Sequence, residues 1–267
     1  MQYKIILKLT ILLFLNNIIE FLPVSSTAHG IFINKILNIG LNLKLILAFA
    51  QLGISLGVCF YFKNKIVNIT NSLFKNTLKT IIFLLKIFIT MIPTILVGFF
   101  CYKVIKNVVN SNRTIAICLL LGSILMLIAE KNYKNNKKHL KNIKNFEKID
   151  FLTAFKIGLI QSLSLIPGIS RSASTISAGL FCKLSRKISV DFSFFISIPI
   201  SILASLYDIY KNVNYINNNF FVYFYCFVLS FIFSIVFCEK ILNFLKNNKL
   251  YIFVWYRIIL GIFIFFL

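Results

Sequence analysis

Over most of this chain the apolar residues do not alternate with polar ones; they run in blocks. Six blocks read as helices that span a bilayer, a role that takes about 20 largely apolar residues: Leu43–Phe62, Thr80–Phe100, Thr114–Ala129, Phe192–Tyr210, Phe220–Phe237 and Leu250–Leu267. Two further regions, Ile5–Leu41 and Phe151–Phe181, are apolar but interrupted. Each has a polar, proline-bearing centre, EFLPVSSTAHG (Glu20–Gly30) in one and SLIPGISRSAST (Ser164–Thr175) in the other. The arms beside these centres are short for a crossing, which predicts two re-entrant helix pairs with tips inside the membrane. Irregular backbone survives at that depth only where protein buries it or it lines a wet cavity.

The order of blocks repeats. One broken segment and three spans occupy residues 1–130, and the same series occupies 150–267, with Pro23 and Pro167 at matching points. An odd number of spans per half makes the second half enter from the opposite face. The expected architecture is a single all-α membrane domain, residues 1–267, with six spans and two re-entrant pairs in an inverted repeat. Halves 1–130 and 150–267 are joined by a basic loop, 131–149. Paired broken segments at corresponding positions point to a shared midplane site.

Composition fits this picture. Hydrophobic residues make up 59% of the 267 positions and only 13% are charged, against about 25% in soluble domains. The net charge of +22, from 29 Lys and Arg against seven Asp and Glu, would suggest nucleic acid in a soluble protein. Here the lysines sit mostly between apolar blocks, as loops at an anionic membrane surface do. One side collects Lys63, Lys65, Lys75, Lys79, the run Lys131–Lys148, Lys183, Arg186, Lys187, Lys240, Lys246 and Lys249, seventeen basic residues. The other holds eight: Lys4, Lys8, Lys35, Lys44, Lys103, Lys106, Arg113 and Lys211. The positive-inside rule makes the richer side cytoplasmic and puts both termini outside. The six cysteines occur singly, without a CxxC pair, and read as buried thiols. Lys4, Lys8, the run Ile11–Leu15 and Ser26-Thr27-Ala28 imitate a signal peptide, but Glu20 and Pro23 lie between the run and that cut.

The polar residues expected at membrane depth gather in the two broken centres: Glu20, Ser25, Ser26, Thr27, His29, Ser170, Arg171, Ser172, Ser174 and Thr175. Serine and threonine often serve helix packing alone. Three ionisable groups together are expensive and mark a site. Arginine offers a planar fork for phosphate oxygens, and the backbone at Gly168–Ile169–Ser170, opening a helical arm, would make an anion pocket. A hydroxyl can donate to phosphate or attack phosphorus, His29 can move protons near neutrality, and Glu20 can hold a divalent cation. A phosphate-handling site inside a bilayer suits a lipid phosphate.

The segments EFLPVSSTAH (Glu20–His29) and PGISRSASTISAGL (Pro167–Leu180) resemble the two signature motifs of undecaprenyl-diphosphatases, the bacitracin-resistance proteins. Similarity continues at QLG (Gln51–Gly53), IPTILVG (Ile92–Gly98), FSFFISIP (Phe192–Pro199) and YR (Tyr256–Arg257), so it covers nearly the whole chain. The resemblance implies hydrolysis of undecaprenyl diphosphate to undecaprenyl phosphate on the outer face of a bacterial inner membrane, recycling the cell-wall lipid carrier. It implies Glu20, Ser26, His29 and Arg171 as catalytic residues and Ser25, Thr27, Gly168, Ser170, Ser172 and Thr175 around the phosphates. It also implies a divalent cation, Mg²⁺ with Ca²⁺ as the alternative, held at Glu20 with weaker help from Asn16. A homodimer is compatible with it. The chain departs from the pattern at Asn16, where the family has Glu or Gln, and at Ala28 and Ala173, where it usually has Gly.

Three rivals stand beside this reading. An acid-phosphatase-like lipid phosphatase needs an Arg-Pro motif and a second site histidine; there is no Arg-Pro here, and the other histidine, His139, lies in the basic loop. A polyprenyl-phosphate transporter shares the inverted repeat. An attenuated remnant would follow from the lost charge at Asn16.

Overall fold

The computed structural model describes residues 2–37, 41–75, 77–108, 111–141, 143, 145–216 and 219–266. Lys144 of the basic loop and Leu267 of the last expected span lie outside the described residues, as do the side chains of Lys35, Lys103 and Lys106. The described residues form α1 (Gln2–Phe21), α2 (Ser26–Leu37), α3 (Leu43–Tyr61), α4 (Lys63–Phe74), α5 (Leu78–Val108), α6 (Asn112–Asn135), α7 (Phe151–Ser162), α8 (Arg171–Phe181), α9 (Arg186–Lys211), α10 (Phe220–Asn247) and α11 (Tyr251–Phe265), with short 3₁₀ turns and no strand among them. The helices start where the sequence supplies an acceptor for their first free N–H groups. Asn42 caps α3, Ser111 α6, Asp150 α7 and Ser185 α9.

Five helices, α3, α5, α6, α9 and α10, are long and apolar enough to cross a membrane. They match five of the six expected spans. The sixth, α11, has 15 residues, about 22 Å at 1.5 Å per residue, short of a hydrocarbon core of about 30 Å. Two elements differ from the sequence expectation. The first arm of the broken N-terminal segment is not short: α1 runs 20 residues straight through Asn16 and Asn17. The Asn17 amide donates to the Leu13 carbonyl one turn back and so stays inside the helix. The stretch after α3, expected as loop, forms α4, whose side chains are all at least partly exposed. Its alternation of Lys and Asn with Ile, Val and Phe suits a helix lying at the interface.

Close packing brings the helices together. Gly53 and Gly57 of α3 face Ser230 and Ser234 of α10, and a Cβ added at Gly53 would come 2.3 Å from the Phe227 carbonyl. This is the small-residue contact that lets membrane helices approach, and the Ser234 hydroxyl donates to the Ile54 carbonyl across it. Elsewhere α6 packs on α11, α5 on α7, α3 on α9 and α1 on α10. The helix α8 is buried from Ser172 to Leu180. Two of its hydroxyls turn back onto its own backbone, Ser174 to the Ser170 carbonyl at 2.9 Å and Thr175 to the Arg171 carbonyl at 2.9 Å. Ser172 donates to the Leu22 carbonyl, and the Ser177 hydroxyl is buried without a partner among the described residues. The outer surface carries Phe88, Phe99, Phe221 and Ile259 exposed, as expected where lipid is the solvent.

Candidate active site

Two turns, Pro23–Ser25 before α2 and Pro167–Ser170 before α8, end alike. Ser25 has φ 74° and Ser170 φ 75°, and Gly168 has φ +105°. Non-glycine residues held in the left-handed region cost about 1–3 kcal/mol each and cluster at ligand sites. Each serine also caps the helix it precedes: the Ala28 N–H donates to the Ser25 hydroxyl and the Ala173 N–H to the Ser170 hydroxyl, at 3.5 and 3.4 Å. The first turns of α2 and α8 then meet at one cavity, where two helix N-termini present N–H groups and partial positive charge.

That cavity, of about 260 Å³, is lined by Glu20, Ser25, Ser26, Thr27, Gly168, Ser170, Arg171 and Ser172, together with Gln51 and Ser201. Arg171 Nη2 lies 3.3 Å from Glu20 Oε1, an ion pair between the two broken segments. Gln51 Nε2 donates to the same Oε1 at 3.2 Å, and Arg171 Nη1 donates to the Ser201 hydroxyl at 3.4 Å. Both bonds to Glu20 fall on one oxygen. Oε2 and the remaining N–H groups of Arg171 stay available to whatever enters, since both side chains keep some exposure, 13% for Glu20 and 18% for Arg171. The Ser26 side chain, half-buried, reaches this cavity without a hydrogen bond of its own among the described residues.

Not every expected site residue faces the cavity. Thr175 is buried behind it, bonded to the Arg171 carbonyl and to the Ser193 hydroxyl. His29 is also off the lining, with both ring nitrogens engaged. Nδ1 lies 2.8 Å from the Ser25 carbonyl and Nε2 2.6 Å from the Tyr256 hydroxyl. A carbonyl only accepts, so Nδ1 carries the hydrogen and the neutral ring's Nε2 accepts from the phenol. The two rings also stack, 3° from parallel. Asn16 lines a second cavity of about 200 Å³, which shares Glu20, Ser26, Thr27 and Gln51 with the first.

Behind both tips sits Arg257 of α11, fully buried. Its Nη1 donates to the Pro23 carbonyl at 3.1 Å and the Ile169 carbonyl at 3.0 Å. Nη2 donates to Gly168 at 2.8 Å and Leu119 at 3.1 Å, and Nε to the Ser123 hydroxyl at 3.3 Å. All five N–H groups of the guanidinium are thus used, three of the bonds going to tip carbonyls and none to a carboxylate. The side chain fits because Gly122 leaves room: a Cβ there would lie 2.0 Å from Nη2. The sequence singled out Tyr256–Arg257 only as a point of similarity; its partners reveal what holds the two tips in register.

Comparison with known proteins gives a consistent result. A family model described as bacitracin resistance protein BacA matches residues 9–263. An undecaprenyl-diphosphatase of Methylobacillus flagellatus is 31% identical over 264 residues, covering 98% of this chain and 97% of that one. A protein of Shewanella oneidensis named undecaprenyl-diphosphatase 2 is 35% identical over 253 residues, 94% of each chain. An undecaprenyl-diphosphatase of Nitrosospira multiformis is 34% identical over 264 residues, 98% of this chain and 94% of that one.

Proposed function

The chain belongs to the bacitracin resistance protein BacA family, and from that premise we propose how its cavity hydrolyses undecaprenyl diphosphate to undecaprenyl phosphate and inorganic phosphate. The bond from the bridging oxygen to the terminal phosphorus breaks. The bridging oxygen leaves with the lipid phosphate, and an oxygen from water completes the released phosphate. The observation that carries this reading is the Arg171–Glu20 pair, set between two helix N-termini in one polar cavity of an otherwise apolar helical protein.

Arg171 clamps the terminal phosphate, exchanging the Glu20 carboxylate for phosphate oxygens in the bidentate manner its fork favours. The N–H groups opening α2 and α8 complement the remaining charge, and this fixed complement is the main source of rate enhancement. Ser26 presents its hydroxyl at the same cavity, with Ser25, Thr27, Gly168, Ser170 and Ser172 around the diphosphate. His29 fixes the Ser25 turn through Nδ1, and its Nε2 becomes available as a base only when Tyr256 releases it. A divalent cation, Mg²⁺ by preference, would be held by Glu20 and Asn16 and would neutralise phosphate charge. The donor set supports this: Glu20 Oε2 has no hydrogen-bond partner among the described residues, and Asn16 is 5% exposed yet forms no side-chain hydrogen bond there. One carboxylate and one amide suit an ion that keeps waters and takes one or two carboxylates plus phosphate oxygens.

The pairing of α3 with α9 and α6 with α11, and of α1 with α10 as α5 with α7, supports the inverted repeat with two re-entrant pairs. The excess of basic loops on one side supports an inner-membrane protein with the site opening outward. The test is phosphate release from undecaprenyl diphosphate by purified protein, with and without chelator. The expected result is release that chelator suppresses. A protein that binds the lipid but releases no phosphate is a carrier or an inactive remnant, and the proposal fails.

A further inference from the structure

The second cavity is walled by Asn16 and Glu20 of α1 and by Ser205 and Asp208 of α9. Asn16 and Glu20 stand one turn apart on one face of α1. On α9, Ser201, Ser205 and Asp208 share a face at helical spacing. Ser201 holds Arg171 in the main cavity, while Ser205 and Asp208 continue that face into the second. Asn16 is 5% exposed, lines this cavity and forms no side-chain hydrogen bond among the described residues, so its amide is open to a polar occupant. The acids are otherwise largely committed: the ion pairs among the described residues take Glu20, Glu130, Glu147, Asp150 and Asp191. Asp208 belongs to none of these pairs; Lys44 of α3 and Lys211 of its own helix act on it through space. The cavity offers carboxylate, amide and hydroxyl oxygens, with no thiol or imidazole, a set suited to a hard divalent cation.

We propose that Asp208 is a second carboxylate ligand of the cation held at Glu20, supplying from the second half of the chain the negative charge that Asn16 lacks in the first. The cation's role in hydrolysis rests on the reading above; its binding by Asp208 does not. Each half of the chain then contributes one carboxylate to the ion and the second half contributes the arginine.

The experiment titrates Mn²⁺ into purified full-length protein in detergent, without lipid substrate, and follows free Mn²⁺ by electron paramagnetic resonance. Asp208→Asn, nearly isosteric at an exposed position, should weaken Mn²⁺ binding about tenfold or more, because affinity for such ions follows the count of charged ligands. Asn16→Glu in the Asp208→Asn background should restore it. Mn²⁺ affinity within twofold of the unaltered protein in Asp208→Asn overturns the assignment, as does an unaltered protein that binds no Mn²⁺. If Asp208 only balances Lys44, Asp208→Asn lowers thermal stability, the further change Lys44→Met restores it, and Mn²⁺ affinity does not move; that outcome also overturns it. Phosphate release measured on the same preparations separates the two ideas. Asp208-dependent Mn²⁺ binding without release sinks the phosphatase reading alone, and release with Asp208-independent Mn²⁺ binding sinks the ligand alone.

Discussion

Replacing Arg257 by methionine removes the group that ties the tips together while keeping a side chain of similar length. The Pro23, Gly168 and Ile169 carbonyls each lose a charged donor. At about 1–3 kcal/mol for each buried acceptor left unpaired, the three together cost about 3–9 kcal/mol, a large part of the roughly 5–15 kcal/mol that holds a typical fold. Removing a buried charge that has no counter-ion offsets several kcal/mol of this, because the desolvation of the guanidinium is also relieved. Stability should therefore fall by less than the sum, whereas activity should fall steeply, since a displacement of about 1 Å in a catalytic group costs about 100-fold in rate. Arg257→Lys keeps the charge but has three N–H donors for five acceptors, and should fall between. Phosphate release gives the rate. Fluorescence of Trp255, the chain's one tryptophan and the residue two before Arg257, gives the melt. Turnover in Arg257→Met within threefold of the unaltered protein would refute the reasoning.

Gly122→Ala pushes a methyl into the space of Arg257 Nη2 and within 2.8 Å of the Ile169 carbonyl. It should reproduce the Arg257→Met loss of rate, and the double variant should be no worse than either alone; additive losses would mean that the two sites act separately. Arg171→Ala should lower phosphate release by about 1,000-fold, the scale of a lost transition-state donor, with the protein still extracted in normal yield; near-normal turnover would end the clamp assignment. Asp150 caps α7, so Asp150→Ala should cost about 1 kcal/mol in the melt, while Asp150→Asn keeps an acceptor and loses less. Burial would raise its carboxyl, but hydrogen bonds from Lys141 and from the Thr153 N–H and hydroxyl outweigh that and hold it at about 2, below its ordinary 3.8. A depressed carboxyl stabilises fully above the ordinary value and loses its contribution as pH falls from about 4 through about 2. The difference in melting temperature between the unaltered protein and Asp150→Asn should shrink over that window and stay constant above it.

What the sequence made legible is what a long apolar run or a dense polar motif can encode. The runs that became α3, α5, α6, α9 and α10 were legible because water does not tolerate so much uninterrupted apolar length and a bilayer requires it. The two tips stood out because ionisable residues are rare between such runs. The helix α4 was not legible: twelve residues of mixed Lys, Asn and Ile have the composition of a loop, and only the interface between water and lipid makes the pattern a helix. Asn16 and Glu20 stand one turn apart on α1, but the continuity of that helix was hidden: only the bond to the Leu13 carbonyl shows how Asn17 stays inside it. The orientation of His29 depends on a phenol 227 positions away. Arg257 was the least legible, because its partners are backbone carbonyls, which have no signature in the order of side chains.

Those carbonyl partners account for an arginine at this position without an acid beside it. A carboxylate opposite Arg257 would satisfy the guanidinium more cheaply, but it would cancel the charge one peptide away from the cavity floor. Carbonyl partners satisfy the hydrogens and leave the charge. They also polarise the peptide groups of the Gly168–Ile169 turn, since a peptide whose oxygen accepts a charged hydrogen bond becomes a stronger donor at its nitrogen. Of the N–H groups that follow these carbonyls, that of Ile169 donates to the Ile166 carbonyl within the turn, and that of Ser170 stands at the entrance to α8. Arg257 thus acts on the site twice without touching a ligand: it sets the distance between the two tips, and it adds positive potential to the N-terminus that meets the diphosphate. Arg171, by contrast, is paired with Glu20 and gives its charge to the substrate only by exchange. The standing field comes from the buried arginine, and the exchangeable contact from the one at the cavity wall.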